Sequence, residues 1–122
     1  METFGANEFV RWEFDQGVLK LELKPYTLLD LTVAQHIDCL LSGLVEGGLC
    51  LILWDLSGIS GSDKAGRDYF SRHCMSAKAT AVYAGTAVSL TIARFILRRC
   101  KPSVPTQVFT DSTEALQYLR HQ

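Results

Sequence analysis

Leu49-Cys50-Leu51-Ile52-Leu53-Trp54 is an unbroken apolar run that ends at Asp55. Apolar residues without alternation suit a strand buried on both faces, as at the centre of a parallel sheet. The run is far too short for the ~20 residues that span a bilayer. Its flanks decide how the sheet is wound. Upstream, Val33, Ile37, Leu40, Leu41 and Leu44 recur at helical spacing, with Gln35, Asp38 and Ser42 on the other face. Thr27-Leu28-Leu29-Asp30 reads as the capping box of that helix and Gly47-Gly48 as its end. Downstream, Ser57-Gly58-Ile59-Ser60-Gly61-Ser62 reads as a small-residue loop. Ser60 and Asp63 then open a second helix, expected to reach about Met75 and to bury Gly66, Tyr69, Phe70 and His73.

Further out, Glu8 to Phe14 and Val18 to Leu23 alternate around Asp15-Gln16-Gly17, the pattern of a β-hairpin. Pro25 stops the second strand. On the far side, Thr80 to Ala84 predicts a short strand, and Thr86 caps a third helix with Val88, Ile92, Phe95 and Ile96 inward. Arg98, Arg99 and Lys101 close that helix, where cations complement its dipole, and Pro102 follows. Pro105 to Phe109 predicts a last strand. Asp111-Ser112-Thr113-Glu114 caps a last helix that turns Ala115, Leu116 and Leu119 to the core. The order β-β-α-β-α-β-α-β-α predicts an α/β fold: a hairpin followed by β-α units, a mixed, mostly parallel sheet and about four helices. One domain over residues 1–122 is expected.

Hydrophobic residues make up 48% of the chain and charged residues 20%, which excludes a disordered or collagen-like chain. The net charge of −1 argues against a dedicated nucleic-acid binder. It hides a split. Residues 1–60 hold three Lys/Arg against nine Asp/Glu, a net of −6; residues 61–122 hold nine against four, a net of +5. Met1 to Asn7 has neither a basic start nor an apolar core, so the expectation is a cytoplasmic protein without a transmembrane segment. Cys39, Cys50, Cys74 and Cys100 are widely spaced and form no Cys-x-x-Cys, which suits reduced thiols and offers no metal site. His73 and Cys74 are adjacent on a helix and point about 100° apart, so they make no nucleophile–base pair. Neither a phosphate-binding glycine loop nor a Gly-x-Ser-x-Gly elbow occurs. No catalytic residue, metal or cofactor is therefore assigned.

Three stretches carry a likeness: Leu53-Trp54-Asp55-Leu56, Ala65-Gly66-Arg67-Asp68-Tyr69-Phe70, and Pro105 to Asp111 with Glu114-Ala115-Leu116 and Leu119. Through them the chain resembles small bacterial SpoIIAA-like proteins, whose fold is shared by STAS domains and anti-sigma factor antagonists. The antagonists carry Asp-Ser-Ser-Gly at the start of the second helix, and a partner kinase phosphorylates the second serine. The matching stretch here is Asp63-Lys64-Ala65-Gly66, with Ala65 at the acceptor position. The resemblance implies an interaction or regulatory module that lacks this hydroxyl.

Ligands of open α/β sheets favour the carboxyl ends of parallel strands. That rule selects the loop after the buried strand, with Asp55, Ser57, Ser60, Asp63, Lys64 and Arg67, as the partner- or ligand-binding candidate. The plain alternative is a capped loop in which Arg67 pairs Asp55 or Asp63. A second candidate is an anion contact at Arg94, Arg98, Arg99 and Lys101, beside Phe95 and Ile96. The expected function is non-catalytic: a homodimer that binds an unidentified protein partner. The alternative is a lipid or other amphipathic small molecule in a pocket lined by Tyr69, Phe95 and Ile96.

Overall fold

A computed structural model describes residues 4–45, 50–75, 77–100 and 105–122, apart from the side chains of 99 and 100. The strands are β1 (Phe4–Ala6), β2 (Val10–Asp15), β3 (Val18–Leu23), β4 (Thr27–Leu29), β5 (Leu51–Asp55), β6 (Ile59–Ser62), β7 (Ala79–Tyr83) and β8 (Thr106–Phe109). The helices are α1 (Leu31–Leu44), α2 (Lys64–His73), α3 (Ala87–Cys100) and α4 (Ser112–Arg120). A six-stranded sheet runs β1-β2-β3-β5-β7-β8, and β4 and β6 form a separate two-stranded ribbon.

The apolar run becomes β5, parallel to β3 on one side and β7 on the other. Ile52, Leu53 and Trp54 are buried, so both faces of this strand are covered, as its composition requires. On one face Leu19, Leu21, Ile52 and Trp54 meet Val33, Ile37, Phe70, Ile92 and Ile96 from α1, α2 and α3. On the other, Val18, Leu53, Ala79 and Ala81 meet Ala115 and Leu119 of α4. The small alanines of β7 let α4 lie close to the sheet.

β2 and β3 pair antiparallel from Val10↔Leu23 to Asp15↔Val18. Gln16 and Gly17 both have positive φ (50° and 82°). Two such residues give the tight reversal whose twist matches the hairpin, and Gly17 adopts it without a Cβ penalty.

Three short strands extend the expected order. β1 adds an antiparallel edge to β2. β4 and β6 pair in parallel with an irregularity between Thr27 and Leu28. They arise where a capping box and a loop were expected. Thr27 does not cap α1: it is buried in β4 and its hydroxyl donates to Lys24 O at 2.6 Å. Asp30 is the cap and accepts from Val33 N at 2.9 Å. Likewise Ser60 lies exposed in β6, and Asp63 caps α2 by accepting from Gly66 N at 2.8 Å. A short carboxylate before the first helical residue satisfies a free N–H in both cases. α1 ends at Leu44, and Gly47-Gly48 lies outside the described residues. α2 ends at His73, which is exposed, not buried.

Thr86 caps α3 as expected, in a reciprocal pair with Ser89: Ser89 N donates to Thr86 Oγ1 at 3.1 Å and Thr86 N to Ser89 Oγ at 3.0 Å. That commitment draws Ser89 inward and leaves Val88 48% exposed, against its expected burial. No helix among the described residues is long and apolar enough to cross a membrane.

Candidate functional site

The loop after β5 gathers most of its predicted residues into one surface, but their polar atoms serve the protein's own backbone. Asp55 Oδ1 accepts from Ser57 N at 2.9 Å. Ser57 Oγ accepts from Gly85 N at 2.9 Å, which ties the ends of β5 and β7 together. Asp63 caps α2, and its own N–H donates to Leu29 O at 3.2 Å, which seats the helix start on β4. Gly66 is required there: a Cβ at this position meets Leu29 O in hard contact.

Arg67 pairs with neither Asp55 nor Asp63. Its Nη1 donates to Ser62 O at 3.2 Å and Ser62 Oγ at 2.8 Å. The guanidinium carbon lies 4.4 Å from the centroid of the Phe95 ring. Arginine suits this task because its planar group can bond at the edge and stack on the face at once. It braces β6, α2 and α3 together. Lys64 lies outside the brace, exposed, with an ion pair to Asp68 at 3.4 Å one turn on. Ser60 and Ala65 are exposed beside it. Ser60, Lys64 and Ala65 are thus exposed without serving the frame, whereas Asp55, Ser57, Arg67 and the exposed cap Asp63 are engaged in it.

The second candidate does not assemble with an apolar pocket. Arg94 and Arg98 are exposed on α3, whereas the side chain of Arg99 and all of Lys101 lie outside the described residues. A shallow notch of about 310 Å³ is lined by Ala87, Val88, Thr91 and Ile92. Val88 and Arg98 are ten positions apart, ~15 Å along the helix, and Arg94, one turn beyond Thr91, is not among the notch's lining residues. Nor do Tyr69, Phe95 and Ile96 surround one space. Ile96 is buried, Phe95 lies under Arg67, and Tyr69 turns to α1, where its hydroxyl donates to Asp38 Oδ2 at 2.8 Å. That bond to a carboxylate holds the Tyr69 phenol above its ordinary pKa.

His73, the last residue of α2, is exposed, and Cys74, its C-cap, is buried. The His73 ring lies 4.3 Å from that of Tyr69. Cys74 is buried with Sγ 3.7 Å from Ala34 O, and desolvation pushes its thiol far above the ordinary range. Burial raises Cys50 also. Cys39, Cys50 and Cys74 are free thiols, and no cluster of potential metal ligands forms among the described residues.

Residue reasoning missed the surface next to this loop. Tyr26 is 90% exposed, Leu28 49% and Leu31 41%. They line the entry to α1 and the outer side of the β4–β6 ribbon. The signal was a second apolar stretch directly after Pro25, which was absorbed into the helix cap.

The model of a domain of unknown function, DUF7793, matches residues 12–122. No curated protein matches the sequence. Among solved structures, an uncharacterized protein of the DUF3478 family with a SpoIIAA-like fold, from Shewanella loihica PV-4, superposes with a TM-score of 0.63 at 16% identity. The match covers 94% of this chain and 98% of that one. The anti-sigma factor antagonist SpoIIAA in its unphosphorylated form superposes with a TM-score of 0.61 at 14% identity, over 93% of this chain and 99% of that one. Identities this low carry the fold alone. The architecture is SpoIIAA-like, as the resemblance implied.

Proposed function

The chain belongs to the DUF7793 family, and from that premise we propose that it is a non-catalytic interaction module, one domain that meets a protein partner at the start of α2. The supporting observation is the division of labour in the loop after β5. Asp55, Ser57, Asp63 and Arg67 are engaged in caps and braces, which leaves no poised acid, base or nucleophile among them. Ser60, Lys64 and Ala65 are exposed on that hydrogen-bonded frame. Surface held in place by such bonds has less ordering left to lose when a partner binds. At 14% identity the antagonist supplies an analogy and no more. Within it, Ala65 makes the contact insensitive to phosphorylation at this position. Free thiols suit a cytoplasmic setting. A homodimer is part of the proposal, supported by the opposed charges of the two halves of the chain.

Native mass spectrometry of the protein purified from its host tests this. The expected result is a stoichiometric protein partner, retained by wild type and lost by Lys64→Glu and Ala65→Glu. Both positions are exposed, and acidic side chains in a first helical turn are compatible with the fold. A small molecule in place of a protein, or a partner indifferent to both substitutions, overturns the proposal.

A further inference from the structure

The six-stranded sheet is covered unevenly. On one face α1, α2 and α3 pack over it. On the other, α4 packs on β5, β7 and β8. The matching face of β1, β2 and β3 is left open, and Phe4, Ala6, Arg11, Glu13 and Lys20 are exposed there. Alternation fixes which side chains these are. In β2 Val10 and Trp12 point into the core, so Arg11 and Glu13 point out; in β3 Leu19, Leu21 and Leu23 point in, so Lys20 and Glu22 point out. The register sets Arg11 opposite Glu22 and Glu13 opposite Lys20. Arg11 reaches Glu22 at 4.0 Å, and Glu13 and Lys20 form no ion pair among the described residues. The four make a square in which the sign of charge alternates across the strands and along them. Cross-strand pairing accounts for the alternation across. It does not account for the reversal along each strand, from Arg11 to Glu13 and from Lys20 to Glu22. At the free edge, Phe4 lies beside Glu13 and is 72% exposed.

We infer that this open half of the sheet is where two copies of the chain meet, face to face about a two-fold axis that runs along the strands between β2 and β3. Such an axis exchanges β2 with β3. Arg11 then stands over Glu22 of the second copy and Glu13 over its Lys20, each pair occurring twice by symmetry. Sheets packed face to face keep their strands aligned within about 30°, which holds these rows opposite one another. The reversal along the strands fixes the register: a slip of two residues sets Arg11 on Lys20, like on like. The axis also exchanges β1 with β5. That brings Phe4 against α4 of the second copy, the helix that covers its β5. α4 selects this axis over the alternative. It projects from one face, over β7, so each copy's α4 falls beyond the β1 edge of the other. An axis across the strands lays every strand over its own copy and drives α4 onto α4.

This interface rests on the homodimer of the proposed function, but not on the loop after β5 or on the contrast between the two halves of the chain. Sedimentation of the full chain over a concentration series tests it. Wild type is expected to dimerise. Glu13→Lys sets two cations opposite across the axis and Lys20→Glu sets two anions opposite, and each alone weakens the dimer about tenfold or more. An equimolar mixture of the two variants is expected to form a mixed dimer within about threefold of the wild-type affinity, because each copy then meets its complement. Damage to the fold of either chain is not repaired by mixing, and an axis across the strands gives no rescue. Phe4→Asp weakens the dimer, and Arg94→Glu, on α3, leaves it unchanged. A dimer indifferent to Glu13→Lys and Lys20→Glu, a mixture that does not recover, or a dimer that loosens with Arg94→Glu overturns this interface and leaves the homodimer standing. A wild-type chain that stays monomeric at every concentration overturns both.

Discussion

Two glycines in helices have opposite tasks. Gly66, in the first turn of α2, sits against Leu29 O, and an added methyl cannot fit without moving main chain. Gly66→Ala is expected to destabilise by about 2 kcal/mol or more, in the range of overpacked cores. Gly43, inside α1, has nothing within 4 Å of an added Cβ. Gly43→Ala is expected to stabilise by about 0.5–1 kcal/mol through helix propensity. Urea denaturation of both variants checks the pair, and equal effects contradict the contact that separates them. Cys74 sets a pH dependence. Its folded thiol pKa is raised above that of the unfolded chain, ~8.5. Above that pH the unfolded state loses protons that the folded state keeps, so stability is full below it and falls as pH rises. Tyr69, raised by Asp38, acts in the same direction. Stability measured from pH 8 to pH 10 is expected to decline, and less steeply in Cys74→Ala.

Helix starts are the elements on which local chemistry and assembly diverge. Asp63 is the sole side chain among the described residues that accepts from Gly66 N. Asp63→Ala is expected to cost about 1 kcal/mol, as cap removals do, visible as a lower denaturation midpoint with unchanged slope. Asp111 caps α4 similarly, accepting from Thr113 N at 2.8 Å. The sequence signalled all four helix starts, because capping is a short-range pattern of oxygen and N–H. It misassigned the capping residue at α1 and proposed two for α2. Thr27 and Ser60 carry suitable hydroxyls, but they are drawn into a ribbon that forms only when β4 and β6 meet across the fold. The same limit applies to α3. Val88, Ile92 and Ile96 have helical spacing, yet Ser89 and Ala93 face inward because their small side chains allow close packing. Hydropathy alone does not report how near a neighbour stands.

At the scale of the molecule the split of charge becomes a direction. α1, α2 and α3 lie in a row across one face of the sheet, α1 against α2 and α2 against α3. Exposed acids such as Glu8, Glu13 and Asp15 stand at the β1–β3 side, and Arg72, Arg94 and Arg98 at the α2–α3 side. A dimer that sets one side against the other is expected to loosen about tenfold or more between ~0.05 and ~0.5 M salt. Sedimentation at both salts measures this, and a salt-independent dimer removes the charge argument. The sequence alone determined the order of the main strands and helices, the buried central strand and the place of the loop at its end. Those follow from periodicity and caps that each stretch carries in itself. Only the tertiary structure decided that Arg67 braces Phe95 and Ser62 in place of pairing an acid, that Asp55 and Ser57 serve the frame, and that Tyr26 and Leu28 border a groove. The physical reason is the same throughout: hydrogen bonds and ring contacts between segments distant in the chain depend on distances that no local pattern encodes.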